Sequence, residues 1–483
     1  MDPLAQLARQ GAMIERLAAD SRRCAPGVAF FAFPGERADG RRFIPDALAR
    51  GASAVLWESE RFDWDPAWRV PNAAVAGLRA RAGALAHEFY GRPSQSLWTC
   101  GVTGTNGKTT CTQWIAAALN AAGARCGVIG TLGAGFPGAL EDAGNTTPDA
   151  LELHRVLARM RAQGASAVAM EVSSHGLEQG RVGGVAFDCA VFTNLSHDHL
   201  DYHGTMDAYA ASKARLFDAE GLACAVLNLD DVFGAQLARR CAERGVRTIG
   251  YSLVSAPATG NFLVATSIDG ERLAIASSWG EAEGTLRALG RFNASNALAV
   301  VGALVAQGVR FPDAVRALRA LPDVPGRMQR LGGEGAPLVV IDYAHTPDAL
   351  EQVLRALRPI AEARGGRLAA VFGCGGDRDR AKRAPMGEAA SRLADRVLLT
   401  SDNPRSEAPD AILRDIEAGV SGPHEVEPDR ARAIEAAIGG AAAADVVLIA
   451  GKGHETTQEI GARRLPFSDA AVAGAALERR GSR

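Results

Sequence analysis

The chain has 483 residues, 47% of them hydrophobic and 22% charged, and its 53 basic and 55 acidic side chains nearly cancel to a net charge of −2. That length exceeds what one core serves and points to about three domains. The balanced charge excludes the basic footprint of a nucleic-acid binder, and no apolar run approaches the roughly 20 residues that span a bilayer. The opening MDPLAQLARQ is too polar for a secretory segment, and eight scattered cysteines without C-x-x-C pairs read as small buried hydrophobes in a reducing compartment. A cytoplasmic protein is expected, without membrane insertion or nucleic-acid partners.

In chain order, short apolar runs such as VAFFAF (28–33) and ASAVLW (52–57) precede a Gly/Pro/Ser cluster at 90–96, which marks a first boundary. LWTCGVTG (97–104) reads as a buried strand and 109–123 as a helix ended by Gly123. CGVIGT (126–131), ASAVAMEV (165–172), FDCAVFTN (187–194) and CAVLNLD (224–230) read as further buried strands. This alternation implies a mainly parallel sheet covered by helices on both faces. A second boundary falls near PDVPGRMQR (322–330). Beyond it PLVVIDYA, a helix over 347–364, RLAAVFGC, ADRVLLTS and DVVLIAG restart the alternation in a smaller Rossmann-like unit. The expected division is 1–96, 97–325 and 326–483, all α/β.

GVTGTNGKTT (101–110) follows a strand and opens a helix, the setting of a phosphate loop, but Val102 stands where G-x-x-x-x-G-K-[ST] requires glycine. In that setting the amides of Gly104, Thr105, Asn106 and Gly107 face phosphate, Lys108 neutralises its charge, and Thr109 Oγ reaches Mg²⁺. The plain alternative is a Gly/Asn-rich turn. His197, His199 and His203 make an H-x-H-x₃-H spacing that suits zinc or ordinary loop polars. Glu171, closing its strand at the C-terminal sheet edge beside the phosphate loop, suits magnesium. Lys213 by itself reads as a solvated lysine on an amphipathic helix.

Taken in order, GTNGKTT, EVSSHGL (171–177), FTNLSHDHLDYHG (192–204), YAASKARLF (209–217), FNASNAL (292–298), GRM (326–328), DYAHTPDALE (342–351), GCGGDRD (373–379), DNPR (402–405) and AGKGHE (450–455) resemble the Mur ligase family, which builds the peptide of the bacterial cell wall. The resemblance spans about Asp20 to Asp469. It implies three domains and ATP-dependent amide formation: a D-glutamate γ-carboxylate is phosphorylated by ATP and the acyl phosphate is attacked by an amine. It implies a Mg²⁺ site from Thr109, Glu171, His199 and a carbamylated Lys213, with Lys108, Lys213 and Arg327 in catalysis. Thr110, Asn293, Asn296, Arg327 and Asp342 join the loop in holding ATP. Ser21, Glu36, Arg37, Ala38, Asn145, Thr146, Thr147, Ser173, Gln179 and Arg181 match contacts to UDP-N-acetylmuramoyl-L-alanyl-D-glutamate. Gly180 departs from the usual Q-H-R-V histidine.

For the incoming amino acid, Arg378, Asp402, Asn403, Pro404, Arg405, Gly451 and Glu455 match the pattern for meso-diaminopimelate. An arginine fork takes the second carboxylate bidentately and Pro404 fixes the backbone before Arg405. L-Lysine as the amino acid, or a folylpolyglutamate synthetase-like ligase, are the alternatives. The latter lacks the first domain and the DNPR stretch. A non-enzymatic nucleotide switch is disfavoured by the neutral charge balance.

Overall fold

In the computed structural model, residues 2–36, 38–257 and 260–481 are described. Three large sheets and a two-stranded antiparallel ribbon, Thr457–Ile460 with Arg463–Pro466, organise them. The first has four parallel strands in the order Arg16–Ala18, Val28–Ala32, Ala54–Glu58 and Asn72–Val75. Its middle strands are buried throughout and apolar but for Glu58, as a sheet covered on both faces demands.

The central sheet has eleven strands. Seven run parallel, in the order Asn261–Asp269, Arg247–Ser252, Cys224–Asn228, Cys189–Phe192, Trp98–Thr103, Ala167–Glu171 and Cys126–Gly130. Antiparallel arms extend both edges: Arg272–Ser277 and Gly280–Thr285 on one side, Gly133–Phe136 and Ala139–Glu141 on the other. The arms were not legible as part of a parallel pattern, because strands such as RLAIAS are short and bury only alternate residues, Leu273 and Ile275. Two helices are pressed onto this sheet near the phosphate loop. Lys108–Ala121 starts at Gly107, and Arg291–Gln307 is apolar nearly all round because the first helix, the sheet and Phe311–Ala317 enclose it.

The third sheet has six strands, in the order Gln329–Gly332, Leu338–Asp342, Val446–Ala450, Leu368–Phe372, Arg396–Leu399 and Glu425–Val426, all parallel except the first pair. The helix expected over 347–364 forms as Pro347–Ala363, with Thr346 capping its amides. All eight cysteines are buried and unpaired. Among the described residues, no helix is long and apolar enough to cross a membrane. The loops leaving the C-terminal ends of the parallel strands in the second and third sheets line one common cavity, where open α/β sheets bind ligands.

Candidate active site

The phosphate loop is a shaped backbone. Gly104 (φ 147°) and Gly107 (φ 86°) lie where side chains are strained, and a Cβ would come within 1.9 Å of Thr193 Oγ1 at the first and 2.5 Å of Asn296 Oδ1 at the second. The loop is stitched to the strand beside it. Asn106 N donates to Asn194 Oδ1 (2.9 Å), Thr105 N to Asn194 O (2.8 Å), and Thr193 Oγ1 to Asn106 O (2.5 Å). Lys108 Nζ donates to the carbonyls of Gly104 (2.8 Å) and Thr105 (2.7 Å), and Lys213 Nζ also donates to Gly104 O (2.8 Å). Burial lowers the pKa of both amines. For Lys213, 1% exposed and seated 4.2 Å from the Tyr209 ring centre, burial and the neighbouring Lys108 carry it well below the lysine range while Asp198 opposes them.

Glu171 is the hub of the adjoining wall. Its carboxylate, 1% exposed, accepts from Thr109 Oγ1 (3.0 Å), Thr131 N (2.8 Å) and Thr131 Oγ1 (3.1 Å). Arg327 donates to Thr109 Oγ1 (3.1 Å) and lies over the Tyr343 ring. His199 adopts a left-handed backbone (φ 53°), donates its amide to Asp198 Oδ1, and packs edge-on to His175, which His203 also meets. Burial lowers the His199 pKa against the opposing pull of Asp198. Among the described residues no group of three or more His, Cys, Asp or Glu is arranged to hold a metal, so the H-x-H-x₃-H spacing does not gather into a zinc cage. Thr109, Glu171, His199 and Lys213 do line the same cavity.

A third wall joins the first sheet to the second. Glu36 accepts from Tyr202 OH (2.6 Å), Gln179 Nε2 (2.8 Å) and Arg79 (3.3 Å). Arg181 donates to Gln179 Oε1 (2.8 Å) and Thr147 O (2.7 Å). Thr147 Oγ1 bonds Glu171 O and Ser173 Oγ, and Thr146 Oγ1 meets Thr131 Oγ1. Asn145 lines the cavity between them. Gly180 has φ 68° and nothing within 4 Å of an added Cβ, so open space stands where the family's histidine is usual. Ser21, buried at the start of a 3₁₀ turn, and exposed Ala38 are not in the cavity wall, and Arg37 lies outside the described residues.

The fourth wall comes from the third sheet. Asn403 Nδ2 donates to Glu455 Oε2 (2.8 Å), and fully buried Lys452 donates to Asn403 Oδ1 (2.9 Å), Glu455 Oε2 (2.8 Å) and Thr457 O (2.8 Å). Arg405, left-handed at φ 52°, donates to Gly376 O (2.8 Å) and Glu459 Oε2 (3.1 Å). A Cβ on Gly451 would sit 2.5 Å from Asp402 Oδ2, so glycine admits that carboxylate. Arg378 is exposed on the cavity wall and Pro404 is buried behind Arg405.

These walls enclose about 980 Å³, room for a large ligand and its reaction partners. Of the other residues expected to hold ATP, Arg327 lines this cavity and Thr110, Asn293, Asn296 and Asp342 do not. Thr110, Asn293 and Arg327 border a second, very small cavity. Asn296 bonds Asn293 Oδ1 (3.1 Å). Both oxygens of Asp342 accept backbone amides, from Met328 and Ala344 (2.8 Å each), so its carboxylate fixes the turn that carries Arg327. Sequence reasoning missed Thr131, Asp198, Tyr202, Lys382 and Lys452. Thr131 carried a usable signal, since it directly follows its strand at the same sheet edge as Glu171. Lys452 carried none beyond its place in AGKGHE.

Comparison with known proteins accounts for nearly the whole chain. Residues 13–90 match the Mur ligase family catalytic domain, 102–304 the Mur ligase middle domain, and 326–453 the Mur ligase glutamate ligase domain. A UDP-N-acetylmuramoyl-L-alanyl-D-glutamate–2,6-diaminopimelate ligase of Pseudomonas aeruginosa is 54% identical over 475 residues, 97% of this chain and 96% of that protein. The enzyme of the same name from Chromobacterium violaceum is 50% identical over 484 residues, 100% and 98% of the two. A solved structure of a ligase with that name superposes with a TM-score of 0.68 at 37% identity, over 97% of this chain and 95% of that one. A MurF ligase from Thermotoga maritima in complex with ADP shares the fold, at a TM-score of 0.66 and 20% identity over 97% and 99% of the two chains. The chain belongs to the Mur ligase family.

Proposed function

We propose that this chain is the ATP-dependent ligase that joins meso-2,6-diaminopimelate to the D-glutamate γ-carboxylate of UDP-N-acetylmuramoyl-L-alanyl-D-glutamate, a step in making peptidoglycan precursor in the cytoplasm. The observation that carries the reading is a single cavity with a phosphate loop on one wall and the arginine-bearing DNPR loop on another. The division of labour follows the sheets: 1–96 for the UDP end, 97–325 for ATP, 326–483 for the amino acid.

The chemistry asks little covalent work of the protein. The γ-carboxylate attacks the γ-phosphorus of ATP, ADP leaves, and the resulting acyl phosphate is attacked by the amine with loss of phosphate. Lys108 and Arg327 supply positive charge where the phosphoryl group transfers, and the loop amides that Asn194 leaves free orient it, those of Thr105 and Asn106 being taken by Asn194 rather than facing phosphate as expected. Glu36, Gln179 and Arg181 form the polar network that orients the muramoyl peptide. Closure of the walls excludes water, which would hydrolyse the acyl phosphate.

The donors around Glu171 fit magnesium on one condition. A carboxylate, a hydroxyl and an imidazole are a weak set for a hard dication, and a protonated lysine beside it would repel. Burial lowers the Lys213 pKa and so favours the neutral amine, the form that adds CO₂, and the carbamate so formed would supply a second anion. Mg²⁺ held by Thr109, Glu171, His199 and that carbamate would screen phosphate charge. The test is direct: supply the UDP-dipeptide, ATP and either diaminopimelate or lysine, then follow phosphate release and product mass. Phosphate release that depends on the UDP-dipeptide and yields the diaminopimelate tripeptide supports the reading. Turnover with a folate instead would overturn it.

A further inference from the structure

Two loops carry the arginines assigned above to the second carboxylate: 373–379 holds Arg378 and 401–407 holds Arg405. They are bound to each other through backbone and side chains alike. Gly376 N donates to Asn403 O (2.9 Å) and Arg405 to Gly376 O (2.8 Å). Ser406 Oγ donates to Asp377 Oδ1 (2.6 Å), and Asp377 N to Glu407 Oε1 (2.7 Å). Gly376 lies so close that a Cβ would meet Pro404 O at 1.9 Å. Asp377 and Arg405 are both left-handed, at φ 54° and 52°, a backbone state that persists only where the surroundings over-determine it.

One buried guanidinium organises this contact. Arg383 is 1% exposed and begins the helix Arg383–Leu393. It donates to Glu407 through both terminal nitrogens (2.9 and 3.1 Å), to Gly375 O (3.3 Å) and to Asp415 (2.8 Å). It therefore grips one loop by a carbonyl and the other by a carboxylate. Glu407 accepts also from Arg380 (2.9 Å). Neither Arg383 nor Glu407 lines the cavity.

We propose that Arg383 and Glu407 are positioning residues for amino-acid selection: by clamping loops 373–379 and 401–407 together they fix the spacing of Arg378 and Arg405. The proposal rests on the reading that these two arginines bind the distal carboxylate of diaminopimelate. A bidentate fork tolerates little displacement, so loosening the clamp weakens recognition of that carboxylate. The side-chain contacts among Asn403, Lys452 and Glu455 include neither Arg383 nor Glu407, so they are expected to outlast a loosened clamp.

The test uses the full-length enzyme with Glu407→Gln and Arg383→Lys, measuring KM and kcat for each of the three substrates, lysine turnover, and thermal melting. Both variants are expected to raise KM for diaminopimelate by about tenfold or more, a displacement effect. KM for ATP and for the UDP-dipeptide should stay within about twofold, with kcat little changed. Lysine turnover should be unchanged, so that selectivity falls by the same factor as KM rises. A parallel rise in all three KM values, or a loss of kcat alone alongside a lower melting temperature, overturns the clamp and leaves only a structural ion pair. Arg405→Ala serves as the control. If it loses diaminopimelate while Glu407→Gln does not, the clamp fails and the binding reading stands. If Arg405→Ala keeps full affinity, the binding reading fails and takes the clamp with it.

Discussion

The phosphate loop and the amino-acid loop are built by opposite means. The first is mostly backbone: two glycines at positive φ, a strand before, a helix after, and lysines turned back onto its own carbonyls. The second is mostly side chains: Arg405 bonds Glu459, Asn403 bonds Glu455, and Lys452 ties Asn403 to Glu455. Shape made by backbone suits a ligand such as phosphate, whose recognition is charge and close approach. A web of paired side chains suits selection between amino acids, where one missing partner leaves buried groups unpaired.

Substitutions can break this contrast, beginning with the largest effect. Lys108→Ala should reduce acyl-phosphate formation by about 10³-fold, since the lost charge sits on the transferring group. Trapping of the intermediate measures it, and turnover within about threefold of the parent would reduce the loop to a turn. Lys213→Ala should lower activity by about 10²-fold with the fold retained, and a short carboxylic acid in solution should recover part by occupying the vacated anion position. Full activity without it would contradict a carbamate role.

Smaller effects separate the two loops. Lys452→Met leaves Glu455 without its cation in a half-buried site and should destabilise the chain by about 3 kcal/mol in denaturant unfolding. A change under about 1 kcal/mol would place the web outside the folding energetics. Gly107→Ala meets Asn296 Oδ1 and a left-handed φ, and should weaken ATP use by roughly tenfold without altering diaminopimelate affinity. Gly180→His should be mildest, within about threefold, because space is open there and only the backbone state resists.

What could be read from the sequence divides along the same line. The strand and helix flanking the phosphate loop, expected over 97–104 and 109–123, form as Trp98–Thr103 and Lys108–Ala121, because apolar runs and glycine punctuation are local signals. Glu171 at its strand end was legible for the same reason. Asn194, 88 residues from Asn106, was not, and neither was Arg383 opposite Glu407, since no local period encodes who meets whom across the fold. The resemblance brought Arg405 and Glu455 to notice, but not Lys452 or Glu459, which hold them. Asp342 shows the reverse case: the resemblance implied a contact to ATP, and in the structure both its oxygens accept backbone amides that secure the turn carrying Arg327.

The most direct test of the account is the ratio of kcat/KM for meso-diaminopimelate to that for L-lysine with the unmodified protein. A site whose arginines pair with the second carboxylate should favour diaminopimelate by about 10⁴-fold or more, because lysine brings no carboxylate to offset the cost of gathering two cations on one wall. A ratio below about tenfold would mean that the DNPR loop does not read that carboxylate, and would contradict the assignment of this chain as a diaminopimelate ligase.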